Sequence, residues 1–277
     1  MLTSVQIAFR ETLRLLQGKN QDAKGESPED QRTEILSRII LIALGCGLYG
    51  ASIGLWRSEW MALFVAIKLP LLIFSTVLAT GLINGMLASI MGSGLGFRQT
   101  LLAVLSSYTA FAVIVGSLSP ITFGMVFDAP EPDEPGANRW HSGYLIFHTA
   151  IIAYAGIAAN LRLLPLLIVA SGNVSIAVRT MLVWLACNFF TGAQISWVLR
   201  PFFGSPRLEV QFLREHAFKG TFFESVFRSL RNALGLSNIG TGIFVFVAFF
   251  ACFVVFRLLL RQAVPSNFSP QSPINKP

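Results

Sequence analysis

The densest chemistry in the chain lies between Gly192 and Leu234, where Gln194 and Trp197 precede the run Leu199-Arg200-Pro201-Phe202-Phe203-Gly204-Ser205-Pro206. Each proline lacks a backbone N–H and drives the residue before it out of helical geometry, so a helix carrying Gln194 and Trp197 must stop near Leu199. A guanidinium at Arg200 then meets either the exposed carbonyls of that helix end or lipid phosphates, with Trp197, Phe202 and Phe203 as interfacial anchors. Beyond a polar turn through Glu215 and His216, Thr221-Phe222-Phe223-Glu224 has the Thr-x-x-Glu form of a capping box. The helix it opens spaces Phe223, Val226, Phe227, Leu230 and Leu234 by three and four. Glu224, Arg228 and Arg231 fall among its polar positions, and Gly235 is its stop. With Arg214, these side chains form an expected lipid- or partner-binding surface. A connecting loop that hides its apolar side against the rest of the protein is the alternative.

Other chemistries are less well supplied. His141 and His148, seven apart, can share a helix face, but no cysteine or carboxylate stands at ligand spacing beside them. Interfacial hydrogen bonding is their expected role, and no metal or cofactor is expected. Ser-His-Asp catalysis needs a carboxylate near a buried serine, which the apolar stretches do not offer; intramembrane metalloprotease and paired-aspartate patterns are absent from the sequence. The chain therefore reads as non-enzymatic, and an enzyme acting on lipid would have to draw on Arg200, His216 and Glu224. Coupled transport calls for ionisable groups within spans, where His148 and Arg162 are the candidates. Asn84, Asn160, Asn188 and Gln194 are expected as buried polar side chains that tie helices together. If they line a path instead, Asn84, Asn188 and Gln194 face it.

The elements that must position these residues are apolar helices. Of 277 residues, 53% are apolar and 13% charged, and no carboxylate occurs between Glu59 and Asp128 or between Glu134 and Glu209. A soluble domain scatters charge over its outer face, whereas a bilayer forbids it, so apolar runs of about twenty residues read as membrane spans. The expected fold is all-α: a polytopic integral membrane helix bundle of about six transmembrane helices with amphipathic interfacial helices. The net charge of +7 comes from arginines near span ends, which makes membrane lipids the first partner, with a membrane protein partner or a second copy of the chain next; nucleic acid is a distant one and is not expected. Cys46, Cys187 and Cys252 fall in apolar spans and imply no disulfide framework.

In chain order, residues 1–38 form an amphipathic and polar region in which Val5, Phe9, Leu13 and Leu16 share one helical face and Ser27-Pro28 opens the next helix. That first stretch has no cleavable signal pattern and reads as a helix lying on the membrane, or docked on the bundle. Residues 39–199 read as a five-span membrane domain, with spans over 39–56, 69–91, 97–126, 144–164 and 178–199. Gly50–Gly54 and Gly81–Gly85 supply small-residue packing faces. Residues 57–68, with Trp60 and Phe64, read as interfacial, and Pro70 falls in the first turn of the second span. Gly92, Gly94 and Gly96 make a tight inter-helix turn rather than a phosphate loop, because no strand precedes them and no Lys-Ser/Thr follows. Residues 128–141 read as an exposed loop and 166–175 as a break. A basic aromatic interfacial segment over 200–238, a final span over 239–260 and a disordered tail over 261–277 complete the chain. A cytoplasmic N-terminus puts a small excess of Lys and Arg inside, yet leaves the six basic residues of 200–231 facing outward. That conflict implies either that the segment packs within the protein or that one span is re-entrant.

Two resemblances add to this reading. Gly192-Ala-Gln194-x-x-Trp197-x-Leu-Arg200-Pro201-Phe202-x-Gly204-Ser205-Pro206, with the later Phe222-Phe223-Glu224-x-Val226, resembles a family of uncharacterised bacterial polytopic membrane proteins, which implies a bacterial cytoplasmic membrane and no particular chemistry. Residues 81–120, with Gly96-Phe97-Arg98-Gln99 between two small-residue-rich spans and Ser106-Ser107-Tyr108 inside the second, are similar to the Yip1-type membrane domain. That likeness implies five spans and a role in membrane organisation through partners; the sixth span and the basic segment depart from it. The expected function is a scaffold or accessory subunit that contacts lipid headgroups or a partner protein. A small-solute transporter or channel is the alternative.

Overall fold

The computed structural model describes residues 28–206, 208–247, 250 and 254. The helix expected over 3–17, Cys252, the end of the sixth span and the tail lie outside the described residues. Within them no strand occurs, and the helices are α1 (Pro28–Gly54), α2 (Glu59–Ile90), α3 (Phe97–Ser117), α4 (Ser119–Phe127), α5 (Ala137–Leu161), α6 (Leu164–Ser171), α7 (Val174–Val198), α8 (Phe222–Leu234) and α9 (Asn238–Val247). Five stretches are long and apolar enough to cross a bilayer: Arg32–Gly54, Glu59–Ile90, Phe97–Phe127, Ala137–Ser171 and Val174–Val198. Only 28 to 44% of the apolar window in each is buried, so most of their hydrocarbon surface faces outward, as a lipid solvent requires. Leu78, Leu82 and Met86 of α2 are exposed in this way. A sixth crossing exists if α8 and α9, bent by 105° at their junction, count as one.

Three boundaries differ from the sequence reading. Residues 57–68 are not a separate interfacial segment: Ser58 accepts the Met61 amide at 3.1 Å and starts a single 32-residue α2, with Pro70 well inside it rather than in its first turn. The lysine that reads as a span boundary, Lys68, is buried instead. The exposed loop ends sooner than expected, since α5 opens at Ala137. The expected break over 166–175 shrinks to Gly172 and Asn173, where the Asn173 side chain accepts the Ser175 amide at 2.8 Å and caps α7.

Close backbone approach organises the packing. A methyl group placed on Gly50 or Gly54 would stand 2.5 Å from the carbonyl oxygens of Val65 and Met61, and one on Gly45 would stand 2.4 Å from that of Ala112. The expected small-residue face of α1 therefore seats α2, while Gly45 seats α3. Gly85 lies under the Phe97 ring, which brings α2 onto the start of α3. One cluster of buried residues gathers Ile42, Tyr49, Met61, Val65, Phe111 and Tyr144; a second gathers Val104, Leu164, Leu167, Met181 and Trp184.

The chain order and cross-contacts sort the loops between two ends. Trp56 donates to the Pro130 carbonyl at 3.0 Å and Arg57 to that of Ser205 at 3.1 Å, so residues 55–58, 128–136 and 199–221 share one end. Gly94 abuts the Ala170 carbonyl, which puts the glycine turn and the α6–α7 turn at the other, together with the start of α1.

Candidate functional site

Three cations on three elements grip the backbone of residues 200–220. Lys68, nine residues into α2, donates its ammonium to the Pro201 carbonyl at 2.8 Å and lies over the Phe212 ring at 4.9 Å and the Phe202 ring at 5.9 Å. Arg57, in the α1–α2 turn, donates to the carbonyls of Ser205 and Leu208 at 3.1 and 3.3 Å. Arg200, just past the end of α7, donates to the carbonyls of Trp197, Ala217, His216 and Lys219 at 2.6 to 3.1 Å and stacks on the Trp197 indole at 3.9 Å. Carbonyl dipoles and aromatic faces take the place of carboxylates around these charges.

The loop answers with its own shape. Gly204 has φ of +61° and its α-carbon approaches so near Arg57 that an added methyl would lie 2.6 Å from Cγ of that arginine, so only glycine fits. Pro201 is buried, and Phe202 and Phe203 turn inward against the main core cluster instead of outward as interfacial anchors. Phe203 packs edge-on to Tyr144 at 5.9 Å and lies 5.8 Å from His148. The Pro201–Phe203 stretch is thus a plug that touches Lys68 on one side and the Tyr144–His148 pair on the other. His148 Nδ1 shares a hydrogen bond of 2.7 Å with the Tyr49 hydroxyl, and its buried Nε2 has no partner. His141 stacks on Trp56 at 5.8 Å, apart from His148.

Four of the six basic residues of 200–231, Arg200, Arg214, Arg228 and Arg231, have partners within the protein. Arg214 donates to the Glu209 carbonyl at 3.2 Å, and Arg228 pairs with Glu224 at 2.7 Å. Arg231 donates to Asn238 at 3.0 Å. Burial, and then the charge of Arg214, lowers the pKa of Arg200, and burial lowers that of Arg214. Thr221 caps α8 through the Glu224 amide at 3.3 Å, and Gly235 closes it in the left-handed region as expected. The Glu224 carboxylate completes the ion pair with Arg228, so the reciprocal half of a capping box is given up. Phe223 reaches Phe189 and Phe190 of α7, at 6.1 Å from each.

Asn84 and Asn188 meet as an interhelical pair, Nδ2 of Asn84 donating to Oδ1 of Asn188 at 2.9 Å, while Trp184 Nε1 donates to the Asn84 carbonyl at 3.0 Å. This ties α2 to α7. Gln194 stands six residues further along α7, about 9 Å away along the axis and turned by roughly 240°, so the three do not line one path. Asn160 donates to the Gly156 carbonyl of its own helix, and Arg162 is exposed. Asn188→Leu is expected to lower stability by about 1 kcal/mol, read as a small drop in thermal midpoint in detergent, because it strands the Asn84 amide. The double replacement Asn84→Leu/Asn188→Leu should recover part of the loss; a double variant worse than the sum of the singles rules this out.

The sequence reading missed Lys68 and Arg57. The available signal was an isolated lysine inside an acid-free apolar run, which is costly in a membrane unless it has a partner. Among the described residues no cluster of His, Cys, Asp and Glu could hold a metal ion. Fold and site together define a multi-pass helical membrane protein with a loop locked into one end of its bundle. No family model, no curated protein and no solved structure matches the chain.

Proposed function

We propose that this protein is a non-enzymatic scaffold or accessory subunit of a bacterial cytoplasmic membrane, and that α8 is the surface through which it engages the membrane and a partner. The observation that carries the reading is the state of α8. None of its residues is buried, and Phe223 and Phe227 keep 41 and 38% of their surface exposed although the helix abuts α5 and α7. A strongly amphipathic helix left open along its apolar side, at the level where spans end, is suited to the headgroup boundary or to a partner helix. Two further features support it. The described part of α9 is exposed except at Gly240 and Thr241, and the side-chain amide N–H of Asn84 is held by Asn188. The Gly192–Pro206 resemblance supports the bacterial location, and the Yip1-type resemblance supports a role in membrane organisation.

The locked loop has a place in this reading. It fixes where α7 ends and α8 begins, so Arg200, Lys68 and Arg57 position the platform rather than touch the partner. Purification in mild detergent followed by mass spectrometry should find a stoichiometric partner, with at least tenfold less retained by Phe223→Ser/Phe227→Ser and by Arg200→Ala. Retention unchanged in both variants, or a wild-type protein that purifies alone and conducts solute in liposomes, would sink the proposal in favour of transport.

A further inference from the structure

Where α5 begins and α8 ends, two clefts of about 430 and 510 Å³ adjoin at Arg139, which lines both. The first has a mixed lining, with Asn138, Arg231 and Asn232 around the arginine and Leu236 beside them. The second is an apolar groove between Met125, Trp140, Tyr144 and Phe147, closed on one side by Ala233 of α8. Among the described residues no carboxylate pairs with Arg139 or Arg231, and Arg231 spends one donor on Asn238 at 3.0 Å. The N-terminus of α5 opens at the same place with no side-chain cap on Gly136, which adds to the positive field. Pro130 and Gly136 of the loop over 128–136 also line the groove, and that loop carries the exposed carboxylates Asp128, Glu131, Asp133 and Glu134 just outside the lining. Two arginines and an apolar groove lined by α5 thus adjoin an acidic loop at the end of the bundle where spans stop.

We propose that this junction binds an amine-bearing zwitterionic glycerophospholipid. Arg139 and Arg231 hold the phosphate, the amine points to the carboxylates of 128–134, and one acyl chain occupies the groove along Trp140, Tyr144 and Phe147. Guanidinium groups suit a phosphate because their planar donors match its oxygens in pairs. The acidic loop disfavours a lipid of net negative charge, and the groove gives the bound molecule more than a free phosphate compound would gain. The inference rests on the reading of α8 as a membrane-contact element and names the lipid at its C-terminal end.

The test is native mass spectrometry of the delipidated full-length protein in mild detergent, titrated with dioleoyl phosphatidylethanolamine, dioleoyl phosphatidylglycerol, dioleoylglycerol and soluble glycerophosphoethanolamine. One phosphatidylethanolamine per chain is expected, with dioleoylglycerol and the soluble headgroup weaker by at least about tenfold and phosphatidylglycerol weaker as well. Arg139→Gln and Arg231→Gln should each weaken phosphatidylethanolamine about tenfold without changing the thermal midpoint. Dioleoylglycerol binding as tightly as phosphatidylethanolamine, phosphatidylglycerol binding more tightly, or arginine variants that bind like wild type would each overturn the assignment. The wild-type lipid comparison stands even if a variant does not fold. A protein that binds the lipid as expected but retains no partner through Phe223 and Phe227 overturns the scaffold reading and leaves the site standing; the reverse pattern overturns the site alone.

Discussion

Lys68→Glu is expected to release the Pro201–Phe203 plug and to lower the thermal midpoint in detergent by roughly 10 °C. The wild-type ammonium is buried with a carbonyl oxygen at 2.8 Å and two aromatic faces around it. A carboxylate there would face the same carbonyl and the same negative ring faces; an uncompensated buried charge costs about 3–5 kcal/mol, and the charge of Arg214, which already acts on position 68, offsets only part of it. For a chain of this size each kcal/mol moves the midpoint by about 2–4 °C. Lys68→Met separates charge sign from shape. It loses a charge-assisted hydrogen bond worth about 1.5–3 kcal/mol but also the cost of keeping an ammonium from water, so its midpoint should fall much less. Limited proteolysis within 208–219 should quicken in the glutamate variant. Equal losses for the two variants would mean that the pocket does not read charge.

The second large effect is expected at the α1–α2 seam. Gly50→Val would bring its β-carbon to within 2.5 Å of the Val65 carbonyl oxygen, which belongs to helix backbone and cannot swing aside. The two helices must separate along a seam where Gly50 and Gly54 make equivalent contacts, and overpacking of this kind costs about 1–3 kcal/mol at each position. In the membrane the loss is not offset by a hydrophobic gain, because lipid tails are as apolar as the added methyls. Gly124→Ala is the matched control: nothing lies within 4 Å of its new methyl, and the helix propensity of alanine should leave stability level or slightly raised. Thermal midpoints of Gly50→Val and Gly124→Ala that coincide would refute the close approach.

How much of this was legible in the chain differs from residue to residue. The Gly92–Gly96 turn, the Thr221 cap, the Gly235 stop and the small-residue face over Gly50–Gly54 are local or periodic, and each sits where its pattern put it. Lys68 is the instructive miss. A lysine in an apolar run reads as the edge of a span, and what makes it an interior residue is a carbonyl 133 residues later in the chain. Phe202 and Phe203 misled in the opposite sense: beside a tryptophan and an arginine they read as membrane anchors, and only the inward turn of the plug puts them against Lys68 and His148. Arg200 had two roles open to it, carbonyls or phosphates, and spatial proximity to residues 216–219 decided for carbonyls.

By itself the sequence determined that the protein is helical and crosses a membrane repeatedly. Hydrocarbon imposes that outcome on any long acid-free apolar run, since every backbone donor and acceptor must be satisfied within its own segment. It also determined where α8 starts and stops, because caps act within one turn. The tertiary structure alone decided which charges are used up and which remain open. Lys68, Arg57 and Arg200 are consumed by the loop, while Arg139 stays exposed beside the groove along Trp140 and Phe147. Whether a cation in a membrane protein is structural or available depends on the oxygen atoms within about 3 Å of it. Those oxygens come from residues far away in the chain, at distances that no local pattern encodes.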